Sequence, residues 1–429
     1  MAIRFTGMFR ALTARNFRLF FFGQLVSLIG TWMQSIAQSW LIYRLTGSGA
    51  LLGLIIFCNQ LPVFFLAPIG GVLADRLPKR TLLVATQAAA MLLALVLSAL
   101  VLSGAVRVPQ VFVIATLLGI VRAIDIPTRQ AFVVEMVGKA DLMNAIALNS
   151  SIFNAARMIG PAVAGATVAA VGEGWCFFID GVSYLAVIAG LLAMRNLAPL
   201  PRRAALRPWL ELTEGMRFVL GERAVFTLLL LLGAMGLFGL PYSVLMPLFA
   251  DRVFHGGAGM LGWLMSAAGI GALAGALTLA RRERLGGLGR WIGASAAIFG
   301  TGLVGFALSR SLALSLPLLL VVGYTMIVVM AGCNTLIQAL TPDALRGRVM
   351  AAYSMIFMGS MPLGALASGF LAERVGAPVT VAIDGTLCVL TALVFLRGLP
   401  ALRASARALW ASTQADPGVQ IEPLRANRD

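Results

Sequence analysis

Long apolar segments decide what this chain can fold into. A transmembrane helix needs about 20 consecutive apolar residues, and twelve segments of that size follow one another along the 429 residues. Charged residues make up 12% of the chain, against roughly a quarter in a soluble domain. The sequence therefore predicts an all-α integral membrane protein with twelve transmembrane helices. They are predicted at residues 17–43, 50–74, 81–103, 109–135, 146–171, 175–195, 225–250, 260–280, 290–308, 312–338, 349–372 and 377–397.

Landmarks of the first half of the chain recur in the second half. Four of them recur in the same order, with shifts of 201 to 209 residues: Gly47–Gly53 with Gly256–Gly262, Asp141 with Asp343, Pro161 with Pro362, and Ile179–Gly181 with Ile383–Gly385. Membrane transporters built from repeats bind substrate near the midplane between them. The sequence predicts two six-helix bundles at 1–195 and 225–400. A cytoplasmic linker at 196–224 should hold a short amphipathic helix at 209–220, and the tail at 401–429 is predicted to be disordered.

The positive charge of the chain is distributed very unevenly. With the N-terminus inside, the inner segments carry 25 Lys and Arg residues, the outer loops carry five, and three lie within apolar segments. This is the positive-inside bias of membrane proteins, so the net charge of +16 does not indicate nucleic-acid binding. We expect both termini in the cytoplasm of a bacterial-type inner membrane. His255 is the only histidine, which excludes a histidine metal cluster.

A short basic connection joins the second and third apolar segments. It contains Gly71, Asp75, Arg76, Lys79 and Arg80. These residues resemble the loop signature of the major facilitator superfamily, Gly-x-x-x-Asp-Arg-x-Gly-Arg-Arg, with a proline in place of the second glycine. The resemblance implies the major facilitator fold, and it implies that Asp75 meets the other half in one closed state. The residues alone also fit a hairpin with basic anchors at the membrane surface.

Charged side chains within the predicted helices need an explanation, because each costs about 2.5–3.5 kcal/mol on insertion scales. Arg122, Asp125 and Arg129 follow one another at spacings of three and four, so they share one face of the fourth helix. Arg157 lies near the middle of the fifth helix. Two hypotheses stay open for this cluster. It is either a structural ion-pair network that ties the fourth helix to the fifth, or an anion-binding or proton-coupled site with Asp125 as the candidate for proton coupling.

The fifth helix also contains a glycine–proline motif. Gly160, Pro161 and Gly165 resemble the Gly-Pro-x-x-Gly-Gly signature of the antiporter branch of the superfamily, with one glycine of the closing pair missing. Proline allows a helix kink and glycines allow close packing. The runs Asp-x-Pro-x-Arg-Gln from Asp125 and Asn-x-x-Arg-x-x-Gly-Pro from Asn154 are similar to the efflux subgroup that includes macrolide efflux proteins and the enterobactin exporter.

Further polar residues of the apolar segments are candidates for a cavity lining. The first helix carries them on one face, at Gln24, Ser27, Thr31, Gln34 and Gln38. Such a stripe should face protein or water, so cavity lining and interhelical hydrogen bonding both fit. Tyr324 and Asn334 are cavity candidates in the tenth helix. Asp180 and Asp384 are expected to cap the first turns of the sixth and twelfth helices.

These features predict a secondary active transporter that exports an amphipathic small molecule, a drug-like compound or a siderophore, by alternating access. Proton antiport is the expected driving force, with protons and membrane lipid as the other partners and a monomer as the expected state. No cofactor, metal or nucleic acid is expected. A primary pump does not fit, because Gly138-Lys139 is followed by Ala140 and no P-loop is present.

Two rival functions remain open from the sequence. A lysophospholipid flippase of the same fold would have the same pattern of helices and motifs. A membrane-embedded enzyme fits less well, because it would need paired carboxylates or His/Cys sets at a membrane face, and the loops are short and lack them.

Overall fold

The structure is a computed structural model that describes residues 9–138, 140–195, 216–282 and 286–414, with the backbone alone at 343–344 and 401–414. Within these ranges it contains twelve helices long and apolar enough to cross a membrane, which confirms the predicted fold class. The helices are α1 Arg15–Thr46, α2 Gly49–Arg76, α3 Lys79–Leu102, α4 Val108–Val137, α5 Leu142–Val171, α6 Glu173–Leu192, α7 Arg223–Val253, α8 Gly257–Ala280, α9 Leu288–Leu308, α10 Leu312–Leu340, α11 Asp343–Val375 and α12 Ala377–Gln414.

Helix α7 is irregular over its second half, where the sequence predicted a continuous helix. After Arg223–Ala234, a π-helical turn covers Met235–Gly239, a 3-10 turn covers Leu240–Ser243, and a second π-helical turn covers Phe249–Val253. Pro241 and Pro247 explain the change, because neither residue can donate the backbone hydrogen bond of a regular helix.

Helix packing is the same in the two halves. Helix α2 packs on α4 and α3 on α6, while in the second half α8 packs on α10 and α9 on α12. A Cβ atom on Gly119 would lie 2.3 Å from the carbonyl oxygen of Asn59, and one on Gly323 would lie 1.9 Å from that of Ala268. Only glycine allows backbones to approach so closely. The same close contact therefore joins α2 to α4 and α8 to α10, as the repeated landmarks led us to expect.

The two halves contact each other through α2 with α11 and α5 with α8. We call the end of the bundle with the α2–α3 connection the Asp75 end, and the opposite end the Asp251 end. A Cβ atom on Gly53 would lie 2.2 Å from the carbonyl oxygen of Ala365, so α2 and α11 touch near the Asp251 end. At the Asp75 end of α2, a Cβ atom on Gly71 would meet nothing within 4 Å. Gly70, the residue before Gly71, packs closely on Ala123 of α4, so the close glycine contacts of α2 with the second half lie towards the Asp251 end.

Two predicted segments differ from the structure or lie partly outside it. Of the amphipathic helix predicted at 209–220, residues 216–220 are helical and the others lie outside the described residues. Helix α12 continues to Gln414, so the prediction of a disordered tail from residue 401 is wrong for residues 401–414. Five alanines in this stretch explain the difference, because alanine has the highest helix propensity.

Candidate functional site

Asp125 is the centre of a hydrogen-bonded network between three helices. Its side chain is 3% exposed, and its Oδ1 accepts hydrogen bonds from Thr86 Oγ1 (3.0 Å) and Gln87 Nε2 (2.8 Å) of α3. Its Oδ2 forms an ion pair with Arg129, whose Nη1 donates to Gln24 Oε1 of α1 at 2.9 Å. Asp125 and Arg129 thus both have partners, and their network joins α1, α3 and α4, whereas the ion-pair hypothesis expected it to tie α4 to α5.

Arg122 shares the helix of Asp125 but has a different partner. Its Nη1 donates to Asn59 Oδ1 of α2 at 2.9 Å, and Asn59 in turn donates to the carbonyl oxygen of Ala115 at 3.3 Å. Arg122 also lies within electrostatic range of Asp180 on α6. The three charged residues of the α4 cluster, Arg122, Asp125 and Arg129, therefore serve two separate sets of contacts.

The expectation that Asp180 and Asp384 cap first turns is wrong. Each is the eighth residue of its helix and lies buried, at 0% and 4% exposure. Helix α6 begins at Glu173, two residues before the predicted start, and Glu173 is the acid of the first turn; its Oε1 accepts from Arg44 Nε at 2.6 Å. Asp384 Oδ2 accepts a hydrogen bond from Ser368 Oγ at 2.8 Å, whereas neither oxygen of Asp180 has a hydrogen-bond partner among the described residues.

Arg157 lies at the boundary between the halves. Its guanidinium is 5.8 Å from the ring centroid of Trp32 on α1, and its Nη2 is 4.0 Å from Met326 Sδ on α10. Trp32 in turn makes an edge-to-face contact with Phe153, with the ring centroids 5.8 Å apart. Within the described part of the chain, Arg157 has no acidic partner and makes no bond to the α4 cluster. A cation at this position offers an anionic group an interaction that the protein itself does not fill.

The glycine–proline motif packs α5 against both halves. A Cβ atom on Gly160 would lie 2.4 Å from Trp32 Cβ, and one on Gly165 would lie 2.7 Å from the Cα atom of Gly262 on α8. Pro161 stays within the continuous helix, and its carbonyl oxygen would lie 3.1 Å from a Cβ atom on Gly262. The motif therefore forms the contact between α5 and α8 next to Arg157.

The polar stripe of α1 lies inside the protein. Gln24, Ser27, Gln34 and Gln38 are all buried, and the Thr31 hydroxyl donates to the carbonyl oxygen of Ser27 at 3.0 Å. Among the residues that the structure describes, neither amide atom of Gln34 has a hydrogen-bond partner, and the Nε2 atom of Gln38 also lacks one. Buried amides without protein partners are suited to bind water or a polar group of a ligand.

The other cavity candidates lie on α10 and are partly exposed. Gln338 Nε2 donates to Asn334 Oδ1 at 2.5 Å, one turn along the same helix. Tyr324 is closer to the middle of α10, and its carbonyl oxygen would lie 2.5 Å from a Cβ atom on Gly275 of α8. The contacts do not bring these two residues together with Arg157.

Replacing Gln34 by leucine tests the assignment of the α1 stripe. We expect the thermal stability to stay the same or rise, because an unpartnered buried amide costs about 1–3 kcal/mol. We expect the relative transport rates of two chemically different substrates to change, since the amide is available to a ligand. The matched control is Gln87→Leu, which removes a donor to Asp125 and should lower stability. Unchanged substrate preference in Gln34→Leu would contradict the assignment.

Two signature residues of the α2–α3 connection, Lys79 and Arg80, make polar contacts within the first half. Lys79 Nζ forms an ion pair with Glu135 Oε1 at 2.7 Å, and Arg80 Nη2 donates to the carbonyl oxygen of Leu192 at 2.7 Å. These bonds hold α3 to α4 and α6. Asp75 and Arg76 are exposed, and neither makes a hydrogen bond or ion pair within the ranges that the structure describes. The charge of Asp75 is thus available for a contact in another conformation.

Polar bonds that join the two halves lie at the Asp251 end, and no motif or spacing in the sequence indicated them. Tyr43 of α1 donates its hydroxyl proton to Asp251 Oδ2 at 2.6 Å. Arg252 Nη2 donates to the carbonyl oxygen of Gly47 at 2.7 Å, and its guanidinium lies 6.0 Å from the ring centroid of Tyr43. The end of α7 is therefore tied to the end of α1.

A second set of bonds at the same end joins α11 to α2. Glu373 Oε2 accepts from Ser48 Oγ at 2.9 Å and from the backbone nitrogen of Ala50 at 3.3 Å. The carboxylate lies at the N-terminus of α2, where the helix dipole favours negative charge. We call the bonds of Tyr43, Arg252 and Glu373 the Asp251-end bonds.

Comparison with known proteins gives relatives that align along most of their length. The staphyloferrin A transporter of Staphylococcus aureus is 27% identical over 401 residues, which are 88% of this chain and 96% of the relative. The multidrug efflux pump Tap of Mycolicibacterium fortuitum is 27% identical over 372 residues, with 84% and 90% covered. These relatives are transporters and not enzymes, as the sequence predicted.

The fold is similar to that of a solved transporter. The crystal structure of the nucleoside transporter NupG superposes with a TM-score of 0.69 at 14% identity, covering 90% of this chain and 98% of NupG. Residues 6–422 match the family described as transmembrane secretion effector. The chain therefore belongs to the transmembrane secretion effector family of the major facilitator superfamily, as the loop and α5 motifs indicated.

Proposed function

We propose that this protein exports an amphipathic small molecule, a drug-like compound or a siderophore, across the bacterial inner membrane by alternating access coupled to proton antiport. The names of the two relatives, a siderophore transporter and a multidrug efflux pump, support this range of substrates. In the proposed orientation both termini and the Asp75 end face the cytoplasm, as the distribution of Lys and Arg favours. The protein works as a monomer.

The observation that carries the proposal is the position of Arg157. It lies between the halves, at mid-depth of the bundle, with a tryptophan on one side and a methionine on the other. An arginine without an acidic partner binds a carboxylate or similar anion, and the aromatic and thioether groups beside it suit an apolar moiety. The substrate therefore combines an anionic group with an apolar part, and it binds where both halves reach it.

Alternating access is supported by the uneven contacts between the halves. The hydrogen bonds at the Asp251 end and the close packing of α2 on α11 favour closure there. Asp75 is exposed at the opposite end. We infer that this conformation faces the cytoplasm, and that Asp75 contacts the second half after the bundle has switched.

Transport by the purified protein in liposomes tests the proposal. A pH gradient is imposed, and accumulation of an anionic amphipathic dye, a siderophore and a lysophospholipid is measured in parallel. We expect accumulation of the dye or the siderophore that depends on the gradient. Transport of the lysophospholipid alone would assign the protein as a flippase instead, and no transport of any of the three would contradict the proposal.

The Asp251-end bonds give a prediction about the conformational equilibrium. The double variant Tyr43→Phe, Glu373→Gln removes the Tyr43 hydroxyl and the Glu373 charge but keeps both side-chain shapes. The two bonds together contribute about 1–2 kcal/mol, so the population open at the Asp251 end should rise about five- to thirtyfold. A cysteine reporter at the half-buried position of Ser39, in the part of α1 nearer the Asp251 end, should then be modified faster by a reagent added from outside. Tyr353→Phe is the control, because its hydroxyl bonds within the second half.

A further inference from the structure

Two buried acids of the first half have opposite surroundings. Asp125 accepts two hydrogen bonds and forms an ion pair with Arg129. Asp180 is completely buried, and in the part of the chain that the structure describes its carboxylate oxygens meet no hydrogen bond of good geometry, although the Thr31 and Tyr184 hydroxyls lie close to them. An ionised carboxylate in such a place is very costly unless a partner reaches it, whereas the neutral acid is tolerated. The network around Asp125 therefore needs a fixed charge, while the site of Asp180 can accept either form.

The groups that face Asp180 come from α1, α4 and α6. On α1, a Cβ atom at Gly30 would lie 2.8 Å from Asp180 Oδ1, so glycine leaves the room that the carboxyl occupies. The hydroxyls of Thr31 on α1 and Tyr184 on α6 lie near it, and the Thr31 hydroxyl donates to a carbonyl oxygen of its own helix. From α4, Arg122 is the cation in electrostatic range.

Other ionisable groups on the neighbouring helices are few. Helices α1 and α3, which pack along α6, carry ionisable side chains only near their ends. The only ionisable residue of α5 is Arg157, which is directed to Trp32. Asp125 is already paired with Arg129. Burial therefore opposes a charge on Asp180, whereas the cation of Arg122 and the hydroxyls of Thr31 and Tyr184 support it.

Arg122 connects this acid to the boundary between the halves. Its present hydrogen bond is to Asn59 of α2, and α2 is the helix that packs on α11 of the second half. Gly30 and Arg122 are both at the middle of their helices, the sixteenth of 32 residues and the fifteenth of 30. Asp180, which faces Gly30, and Arg122 therefore lie at a similar depth. This depth is close to the midplane, where transporters bind coupling ions.

We propose that Asp180 is the proton-binding carboxyl of this transporter. This inference rests on the proton antiport of the proposed function. In the conformation described, Asp180 is protonated and Arg122 bonds to Asn59. On release, the proton passes from the Asp180 carboxyl to water, and the carboxylate that remains is stabilised by Arg122, which leaves Asn59. Rebinding of a proton reverses both changes.

The variant Asp180→Asn tests the proposal, because the amide imitates the neutral acid and cannot release a proton. A gradient of about one pH unit supports about a tenfold substrate accumulation per proton exchanged. We expect the variant to lose this accumulation while it keeps exchange down a substrate gradient and the thermal stability of the wild type. The matched control is Asp384→Asn at the corresponding place in the second half, where the acid is already bonded to Ser368. This control should keep the accumulation.

A second measurement counts the protons that each folded protein molecule releases when substrate is added. The release is followed with a pH indicator in weakly buffered detergent solution. It should occur in the wild type and in Asp180→Glu, and it should be absent in Asp180→Asn. Accumulation or proton release that persists in Asp180→Asn would overturn the assignment of Asp180. A wild type that transports substrate but responds to no pH gradient would instead overturn the antiport part of the proposed function.

Discussion

Replacing Asp125 by asparagine is expected to destabilise the whole protein. The change leaves the buried guanidinium of Arg129 without its acidic partner, and it turns an acceptor of two hydrogen bonds into a group that also has to donate. Breaking a buried ion pair by removing one partner costs about 3–5 kcal/mol, and we expect the lower end because Arg129 is 24% exposed. The midpoint of thermal denaturation in detergent should fall by several degrees. Transport driven by a pH gradient and exchange down a substrate gradient should fall together.

The double variant Asp125→Asn, Arg129→Gln is the control for this prediction. It removes both charges, so most of the lost stability should return, as expected for residues coupled in one ion pair. The opposite outcome is a stable Asp125→Asn protein that loses only gradient-driven accumulation. That result would make Asp125 the proton-coupling residue and would contradict the structural role of its network.

Replacing Arg157 by glutamine should have a large effect on transport and little on stability. Arg157 has no acidic partner, so its removal strands no opposite charge and can even stabilise the protein. A hydrogen bond to a charged group contributes about 1.5–3 kcal/mol, which corresponds to a loss of about ten- to 150-fold in affinity for an anionic substrate. Binding of an anionic dye and of its uncharged ester, measured by fluorescence with the purified protein, checks this expectation.

Arg157→Lys separates charge from geometry at the same position. Lysine keeps the positive charge but not the planar pair of donors, so we expect it to keep part of the affinity for the anion. The uncharged ester should bind equally to all three proteins. Equal loss of both dyes in Arg157→Gln would mean that the arginine supports the architecture of the site and does not select an anion.

The helices and their repeat could be predicted because both depend on local features of the sequence. A run of about 20 apolar residues forms a transmembrane helix wherever it occurs, since the backbone has no other way to satisfy its hydrogen bonds in lipid. The glycines that join α2 to α4 and α8 to α10 recur with the repeat. The irregular turns of α7 were also visible in principle, because Pro241 and Pro247 lie inside its apolar segment.

The site was less predictable because its contacts are not local. Tyr43 and Asp251 are 208 residues apart in the chain, and Ser48 and Glu373 are 325 residues apart, so no spacing indicates either bond. Asp180 was taken for a helix cap because its depth depends on where α6 begins. The recurrence of Ile-Asp-Gly at 179–181 and 383–385 was the available signal that both acids belong to the interior.

Alternating access is the central claim, and paired distance measurements test it most directly. Spin labels are placed at Ser103 and Arg310 for the Asp251 end and at Leu77 and Arg281 for the Asp75 end, after replacement of the four native cysteines. All four positions are exposed, and each pair spans the two halves. Distances are compared in three proteins. They are the wild type, the double variant Tyr43→Phe, Glu373→Gln, and the triple variant that adds Asp75→Asn to this pair.

We expect the double variant to populate a second distance at each end, longer between Ser103 and Arg310 and shorter between Leu77 and Arg281. Adding Asp75→Asn should return both distributions towards the wild type, because the Asp75 charge stabilises the contact at its own end. Opposite movements of the two ends, reversed together by Asp75→Asn, are the result that alternating access predicts. Movement at one end alone, or both ends moving in the same direction, would contradict it.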